Sequence, residues 1–183
     1  AIVASDDAAL VSFLRLKGRY AKVLGIPFEL YEFPATVMTH ELIARVQYFS
    51  NDVSVAAIVI ELPLPNNVDA HAVLDAVDHT KDPECLHSVN LGKFFDGTSK
   101  ILPPSVATVK TILETLRVGS LEDKVAVIVG AGFLVGQPVA HWFRKQVRKI
   151  VTLRSTSTDE DRRVALAEAD IIVTGVGKSG LVT

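Results

Sequence analysis

The run Val127-Ile-Val-Gly-Ala-Gly-Phe-Leu-Val-Gly-Gln-Pro138 constrains this chain more than any other stretch. An apolar strand, Val125–Val129, enters a glycine turn, and a helical pattern leaves it. That context is what a dinucleotide-binding fingerprint requires. Gly130 permits the tight turn, Gly132 lets the backbone approach a pyrophosphate, and Gly136 allows close helix–strand packing. The N–H groups at the helix start would meet the pyrophosphate charge. The spacing, G-x-G-x-x-x-G, is one residue longer than the standard form, and the run also suits a strand–helix turn that holds no ligand.

The next strand decides which dinucleotide is expected. An acid at its end would hold a ribose 2′-hydroxyl. Here the strand Ile150–Leu153 runs into Arg154-Ser-Thr-Ser-Thr, with no acid before Asp159. Arg154, a fork-shaped cation beside Ser155 and its neighbouring hydroxyls, suits a 2′-phosphate, so NADP is favoured over NAD. A solvated loop arginine is the bland alternative. The strand Ile171–Thr174 ends in Gly175-Val-Gly-Lys-Ser-Gly, a loop thin enough for a nicotinamide ring, or a plain turn. Ser155 to Thr158 with Asp159 reads as a loop and helix N-cap.

Upstream, the opening Ala1-Ile-Val-Ala reads as a strand, with Ser5-Asp-Asp capping a helix that runs to about Leu24. Its apolar positions are Leu10, Phe13, Leu14, Tyr20 and Leu24, and Gly25 is its stop. A strand over Phe28 to Phe33, a helix from Thr39, and a fully apolar strand Val55–Ile60 follow. The last is of the kind buried on both faces of a parallel sheet. Asp69 to Val77 is helical, Asp78 to Pro104 irregular, and Ser105 to Leu116 helical. Helices Phe133–Val147 and Asp159–Glu168 complete the pattern. Strands alternating with helices give an α/β chain.

Two domains are expected, residues 1–118 as a three-layer α/β domain and 119–183 as a Rossmann-like dinucleotide-binding domain. Three strands make an unfinished sheet for the second, so the chain reads as a fragment or a pared-down member of something longer. With 183 residues and 49% hydrophobic residues it can bury a real core, which excludes a disordered tail or a disulfide scaffold. Lys+Arg of 19 against Asp+Glu of 21 argues against nucleic-acid binding through a basic face. The single Cys85 fits a reducing compartment, and the apolar runs are too short for a membrane span. A soluble, cytoplasmic protein is expected. Glu84, Cys85 and His87 crowd one loop and would seldom converge on one ion, so no metal is expected.

Four ordered motifs resemble those of the bifunctional methylenetetrahydrofolate dehydrogenase/methenyltetrahydrofolate cyclohydrolases, the FolD-like family. Gly130 to Pro138 follows the family's G-x-S-x-x-V-G-x-P turn, with Gly132 in place of the serine. Ile60-Glu-Leu-Pro-Leu-Pro resembles its V-Q-L-P-L-P loop. Lys81-Asp-Pro-Glu-Cys-Leu-His-Ser-Val-Asn-Leu-Gly aligns without a gap on K-D-V-D-G-x-H-x-x-N-x-G. Ser12-Phe-Leu-Arg-Leu-Lys-Gly-Arg resembles the Y-V-x-x-K-x-K helix.

The resemblance implies a cleft enzyme, a homodimer, that oxidises methylenetetrahydrofolate with NADP and hydrolyses the methenyl product to formyltetrahydrofolate. It places the catalytic lysine on Lys17, the tyrosine on Phe13, the loop glutamine on Glu61 and the pterin-holding aspartate on Glu84. Ile60 and Leu62 would bind the substrate together with Phe13, Lys17, Glu61 and Glu84. Nucleotide contacts fall on Gly130, Ala131, Gly132 and Ser155, joined by Gly136, Arg154 and Gly175 from the residue reading. The C-T-P segment appears as Pro104-Ser105-Val106, and the C-terminal P-G-G-V-G-P folate loop would lie beyond Thr183. A carboxylate at Glu61 stabilises an ammonium where a neutral glutamine would not. The altered Phe13, Glu61 and Glu84 keep a second reading open, a nucleotide- or folate-binding homologue without turnover. A third is another NADP dehydrogenase of similar build, of the shikimate type.

Overall fold

Short apolar runs become parallel strands, and the amphipathic runs between them become helices. The computed structural model describes every residue except Asp6, Ser179 and Thr183, together with all side chains but those and that of Ala9. Asp6 of the expected N-cap and Ser179 of the last glycine loop therefore lie outside the described residues. The chain divides into two units, Ala1–Ile101 and Leu102–Thr183.

In the first unit, β1 (Ile2–Ala4) is buried throughout and pairs in parallel with β2 (Tyr31–Phe33), Ile2 opposite Tyr31. On its other side Ile2 bridges Ile60. The Ile2 N–H donates to the Val59 carbonyl at 2.8 Å and the Glu61 N–H to the Ile2 carbonyl at 2.9 Å. The apolar run expected as a strand over Val55–Ile60 makes only this one bridge. Ile58 and Ile60 are buried while Ala56 and Ala57 are exposed. β1 is three residues long before the chain turns toward a helix, so only the end of the run finds a partner edge.

Helix α1 (Ala8–Val23) also departs from its expected face. Leu14 is fully buried, but Phe13, Tyr20 and Leu24 are exposed. The stop is as expected: Gly25 sits at φ +69°, and the Ile26 N–H returns to the Ala21 carbonyl. Helix α2 (Thr39–Asn51) buries Leu42, Val46 and Phe49, and α3 (Ala70–Asp75) is capped by the Asp69 carboxylate. The stretch expected to be irregular contains a 3₁₀ turn (His79–Lys81) and a helix, α4 (Ser88–Asp96). Its apolar period is interrupted by Gly92 and by Asn90, which faces inward, so the caps identify it better. The His87 ring accepts from the Val89 N–H at its start, and Gly97 closes it at φ +83°.

The second unit contains α5 (Pro104–Thr115), β3 (Val125–Val129), α6 (Gly136–Phe143), β4 (Lys149–Leu153), α7 (Asp159–Ala167) and β5 (Ile171–Thr174). The strands are all parallel in the order β4-β3-β5. β3, the central strand, is buried on both faces. Val125, Val127 and Val129 pack with Leu153 and with Ala165 of α7. The sequence reading assigned α5 to the first domain, ending at residue 118. In the structure α5 packs with α6, and the Ser105 hydroxyl donates to the Leu134 carbonyl at 2.7 Å, so the unit begins at Leu102. Helix α6 starts later than expected because the glycine loop continues to Val135, and it ends at Phe143 rather than Val147. Among the described residues no helix is long and apolar enough to cross a membrane.

Among the described glycines, Gly136 leaves the least room for a side chain, against Gly130. A Cβ on Gly136 would stand 1.9 Å from the Gly130 carbonyl oxygen, whereas one on Gly132 would meet nothing within 4 Å. Gly136→Ala should therefore destabilise the chain by about 3 kcal/mol or more, since backbone must move. Gly132→Ala should stay within about 0.5 kcal/mol of the parent. Thermal unfolding of the two variants checks both, and equal midpoints would contradict the packing role of Gly136.

Candidate active site

Three separate segments of the first unit converge on one ammonium. Lys17 projects from α1, one helical turn beyond Phe13, so the two share a face. Its Nζ donates to Glu61 Oε2 at 2.9 Å and to Glu84 Oε1 at 3.1 Å, and lies 4.9 Å from the centre of the Phe13 ring. Glu61 is brought there by the β1 bridge, which fixes its N–H on the Ile2 carbonyl and the Val59 carbonyl on the Ile2 N–H. Its side chain is only 10% exposed, against 27% for Lys17 and 22% for Glu84. Phe13 is 48% exposed, leaving its ring a free face. Ile60 is 3% exposed and belongs to the core, while Leu62 is half-buried ahead of the cis peptide to Pro63.

The electrostatics follow from two carboxylates sharing one cation. Burial alone would lower the Lys17 pKa, but the Glu61 hydrogen bond and the Glu84 charge outweigh it, and the net shift is upward. Lys17 is thus held as ammonium. Burial raises the Glu84 carboxyl, and the shared Lys17 only partly opposes this. The sequence expectation that Glu61 and Lys17 could pair is met by the geometry, and Glu84 joins them.

The turn that carries Glu84 is tied down from within. Asp82, 7% exposed, accepts the Glu84 N–H at 3.2 Å, the His87 N–H at 2.9 Å and Asn90 Nδ2 at 2.9 Å. Cys85 follows at φ +58° with its side chain fully buried. The aligned family segment has a glycine at that place, the residue a left-handed backbone favours. The sequence reading singled out neither Asp82 nor Asn90. A polar residue one helical turn before the buried Phe94, and an Asp just before Pro83, were the available signals.

In the second unit, the strand order sets the glycine loop after β3 between the loops after β4 and β5, all at the carboxyl end of a parallel sheet. That edge is where open α/β sheets bind ligands. Gly130 adopts φ +101°, and its N–H donates to the Leu153 carbonyl at 2.8 Å. Gly175 packs so tightly on Val135 that a Cβ would stand 2.9 Å from it. Gly132 faces open space, which suits a backbone reserved for a ligand. The helix start is a poorer anion site than the sequence suggested: Pro138 has no N–H, and the Gln137 N–H is spent on the Gly132 carbonyl. Arg154 and Ser155 lie exposed at the end of β4, where the Arg154 backbone is fixed by the Ser157 hydroxyl. Thr158 caps α7 with Asp161 in a capping box.

Comparison with known proteins matches both units. Residues 1–84 fit the sequence model of the tetrahydrofolate dehydrogenase/cyclohydrolase catalytic domain, and residues 103–183 that of the same family's NAD(P)-binding domain. The chain belongs to the tetrahydrofolate dehydrogenase/cyclohydrolase family.

Relatives agree along the whole chain. The bifunctional protein FolD of Staphylococcus aureus (strain Newman) is 32% identical over 182 residues, covering 100% of this chain and 63% of that protein. Among solved structures, the Trypanosoma brucei methylenetetrahydrofolate dehydrogenase-cyclohydrolase, complexed with NADP and an inhibitor, superposes with a TM-score of 0.92 at 26% identity. It covers 98% of this chain and 61% of that one. The Campylobacter jejuni bifunctional FolD enzyme gives 0.87 at 26% identity, covering 96% and 62%. The chain thus spans less than two thirds of these relatives.

Cys85 provides a direct check on the packing beside Glu84. Burial, with Asp82 nearby, pushes its thiol up to about 11. At pH 7 the thiolate fraction is then on the order of one part in 10⁴. Iodoacetamide should label Cys85 in unfolded chain far faster than in native chain, and equal rates would mean the turn is open.

Proposed function

We propose that this chain forms the folate site and part of the nucleotide site of an enzyme that oxidises methylenetetrahydrofolate with NADP. The same enzyme would hydrolyse the methenyl product to formyltetrahydrofolate. The observation that carries this reading is the Lys17 ammonium held between Glu61 and Glu84 beside the open face of Phe13. A pterin is a flat heterocycle with amino and ring N–H donors along one edge. Phe13 offers a ring to stack on, and Glu84 a carboxylate to receive those donors.

The residues of the second unit fit NADP. Gly130, Ala131 and Gly132 would hold its phosphates, with Gly136 keeping the loop close to the sheet. Arg154 and Ser155 would hold the 2′-phosphate, and Gly175 would border the nicotinamide. NADP, when bound, supplies the hydride acceptor. The oxidation otherwise asks for positioning rather than proton transfer. Family membership and the NADP bound by the T. brucei relative support this assignment. A homodimer in the cytoplasm belongs to the same reading, supported by the motif resemblance and by the single buried thiol.

Hydrolysis is the harder step for this site. A lysine shuttles protons only if it can release one near working pH. Here two carboxylates hold the Lys17 proton, so we expect oxidation to outpace hydrolysis. The same pair lends some weight to the narrower reading of a binding homologue without turnover.

Steady-state formation of NADPH from methylenetetrahydrofolate, measured on the chain within its full reading frame, tests the main reading. No turnover alongside intact folate binding would leave only the narrower one. Glu61→Gln should lower the Lys17 pKa and raise hydrolysis more than oxidation, by about tenfold for each pKa unit removed. An unchanged or slower hydrolysis would reject the Lys17–Glu61 role. Lys17→Met should abolish the hydrolysis that remains. Arg154→Ala should weaken NADP by about tenfold or more and leave NAD unaffected; equal affinities in the parent would reject the 2′-phosphate assignment.

A further inference from the structure

We propose that Asp82 and Asn90 are positioning residues for the folate site, clamping the turn 82–87 so that the Glu84 carboxylate stays on Lys17. The inference rests on the reading of Lys17 and Glu84 as that site.

Asp82 is a buried carboxylate that accepts from its own turn and from the start of α4. Oδ1 takes the Glu84 N–H, and Oδ2 takes both the His87 N–H and Asn90 Nδ2. Asn90, 6% exposed, donates from the same nitrogen to the His79 carbonyl at 2.7 Å. One carboxylate thus ties the residue that carries Glu84 to the first turn of α4, and one amide ties both to the 3₁₀ turn. Between the two backbone bonds sits Cys85, whose left-handed backbone disfavours a residue with a side chain. The clamp offsets that cost. Both flanks are anchored as well. The Lys81 ammonium donates to the Ser50 and Asp52 carbonyls at 2.7 Å each, and the His87 ring caps α4. The chain can then deliver Glu84 to an ammonium on a different helix with little freedom left to lose on binding. A core-filling role alone would not require the acceptor to reach the Glu84 N–H itself.

The test reads Lys17 directly, by NMR titration of its side chain in the 183-residue chain. The groups facing this ammonium are Glu61 from the β1 bridge, Glu84 from the clamped turn and, at longer range, the amino group of Ala1. Glu84→Gln should lower the Lys17 midpoint. Asp82→Asn replaces one acceptor oxygen by an amino group facing N–H donors, and should lower the midpoint by a similar amount. The double variant should fall no further than Glu84→Gln alone. Asp82→Asn should also weaken tetrahydrofolate about tenfold or more. A folded Asp82→Asn variant with a parental Lys17 midpoint, or a double variant in which the two shifts add, overturns the clamp.

If Glu84→Gln binds tetrahydrofolate as the parent does, the site reading fails while the Lys17 titration still decides the clamp. Should Asp82→Asn not fold, Asn90→Ala removes the buried donor while keeping the carboxylate, and the same outcomes apply. In the parent chain the Glu84 and His87 amides should exchange slowly with solvent; rapid exchange of both rejects the proposal without any variant.

Discussion

One ammonium ties the first unit together. Lys17 reaches from α1 to Glu61, placed by the backbone bonds to β1, and to Glu84, placed by the clamped turn. These partners lie 44 and 67 residues away in the chain. Removing water from such charges is costly, and the cost is met only when all three remain in register. Two carboxylates against one cation also leave a surplus negative charge. Lys17 therefore keeps its proton, while Glu84 is pushed up chiefly by burial, with the Glu61 charge adding to it. The same balance that organises the site therefore disfavours release of the Lys17 proton.

The second unit depends on a steric constraint rather than on charge. Gly130 and Gly136 bring the loop backbone onto the start of α6 at a distance no side chain permits, and Gly175 closes on Val135 from the neighbouring loop. Gly132 differs from these three. Its missing side chain leaves open space, so its value lies in what can approach from outside. Tightly packed glycines and an open one occupy one short motif, and the sequence spacing alone does not separate them.

Much of the site was legible from residue types at fixed spacing. Phe13 and Lys17 at i, i+4 share a helical face whatever surrounds the helix, and the apolar run before Gly130 reads as the strand that feeds a glycine turn, as β3 does. The exposure of Phe13 and Tyr20 was not legible. Amphipathic periodicity tells which residues share a face, but the packing partners decide which part of that face is covered. Helix α4 escaped the periodicity because Gly92 and the inward Asn90 break the apolar pattern. The assignment of α5 to the second unit rests on its contact with α6 and on one hydroxyl bond to the glycine loop.

The amino-acid sequence by itself determined the α/β class, the nucleotide turn and the family's motif order. Each depends on local rules: strand and helix period, glycine conformational freedom, and short-range spacing. Only the tertiary structure decided that Glu61 and Glu84 share the same lysine, that Asp82 spends its carboxylate on the turn and the start of α4, and that Cys85 takes a left-handed backbone. These are long-range or backbone outcomes. Electrostatic energy depends on distance and burial, and neither exists until the separate segments have been packed against one another.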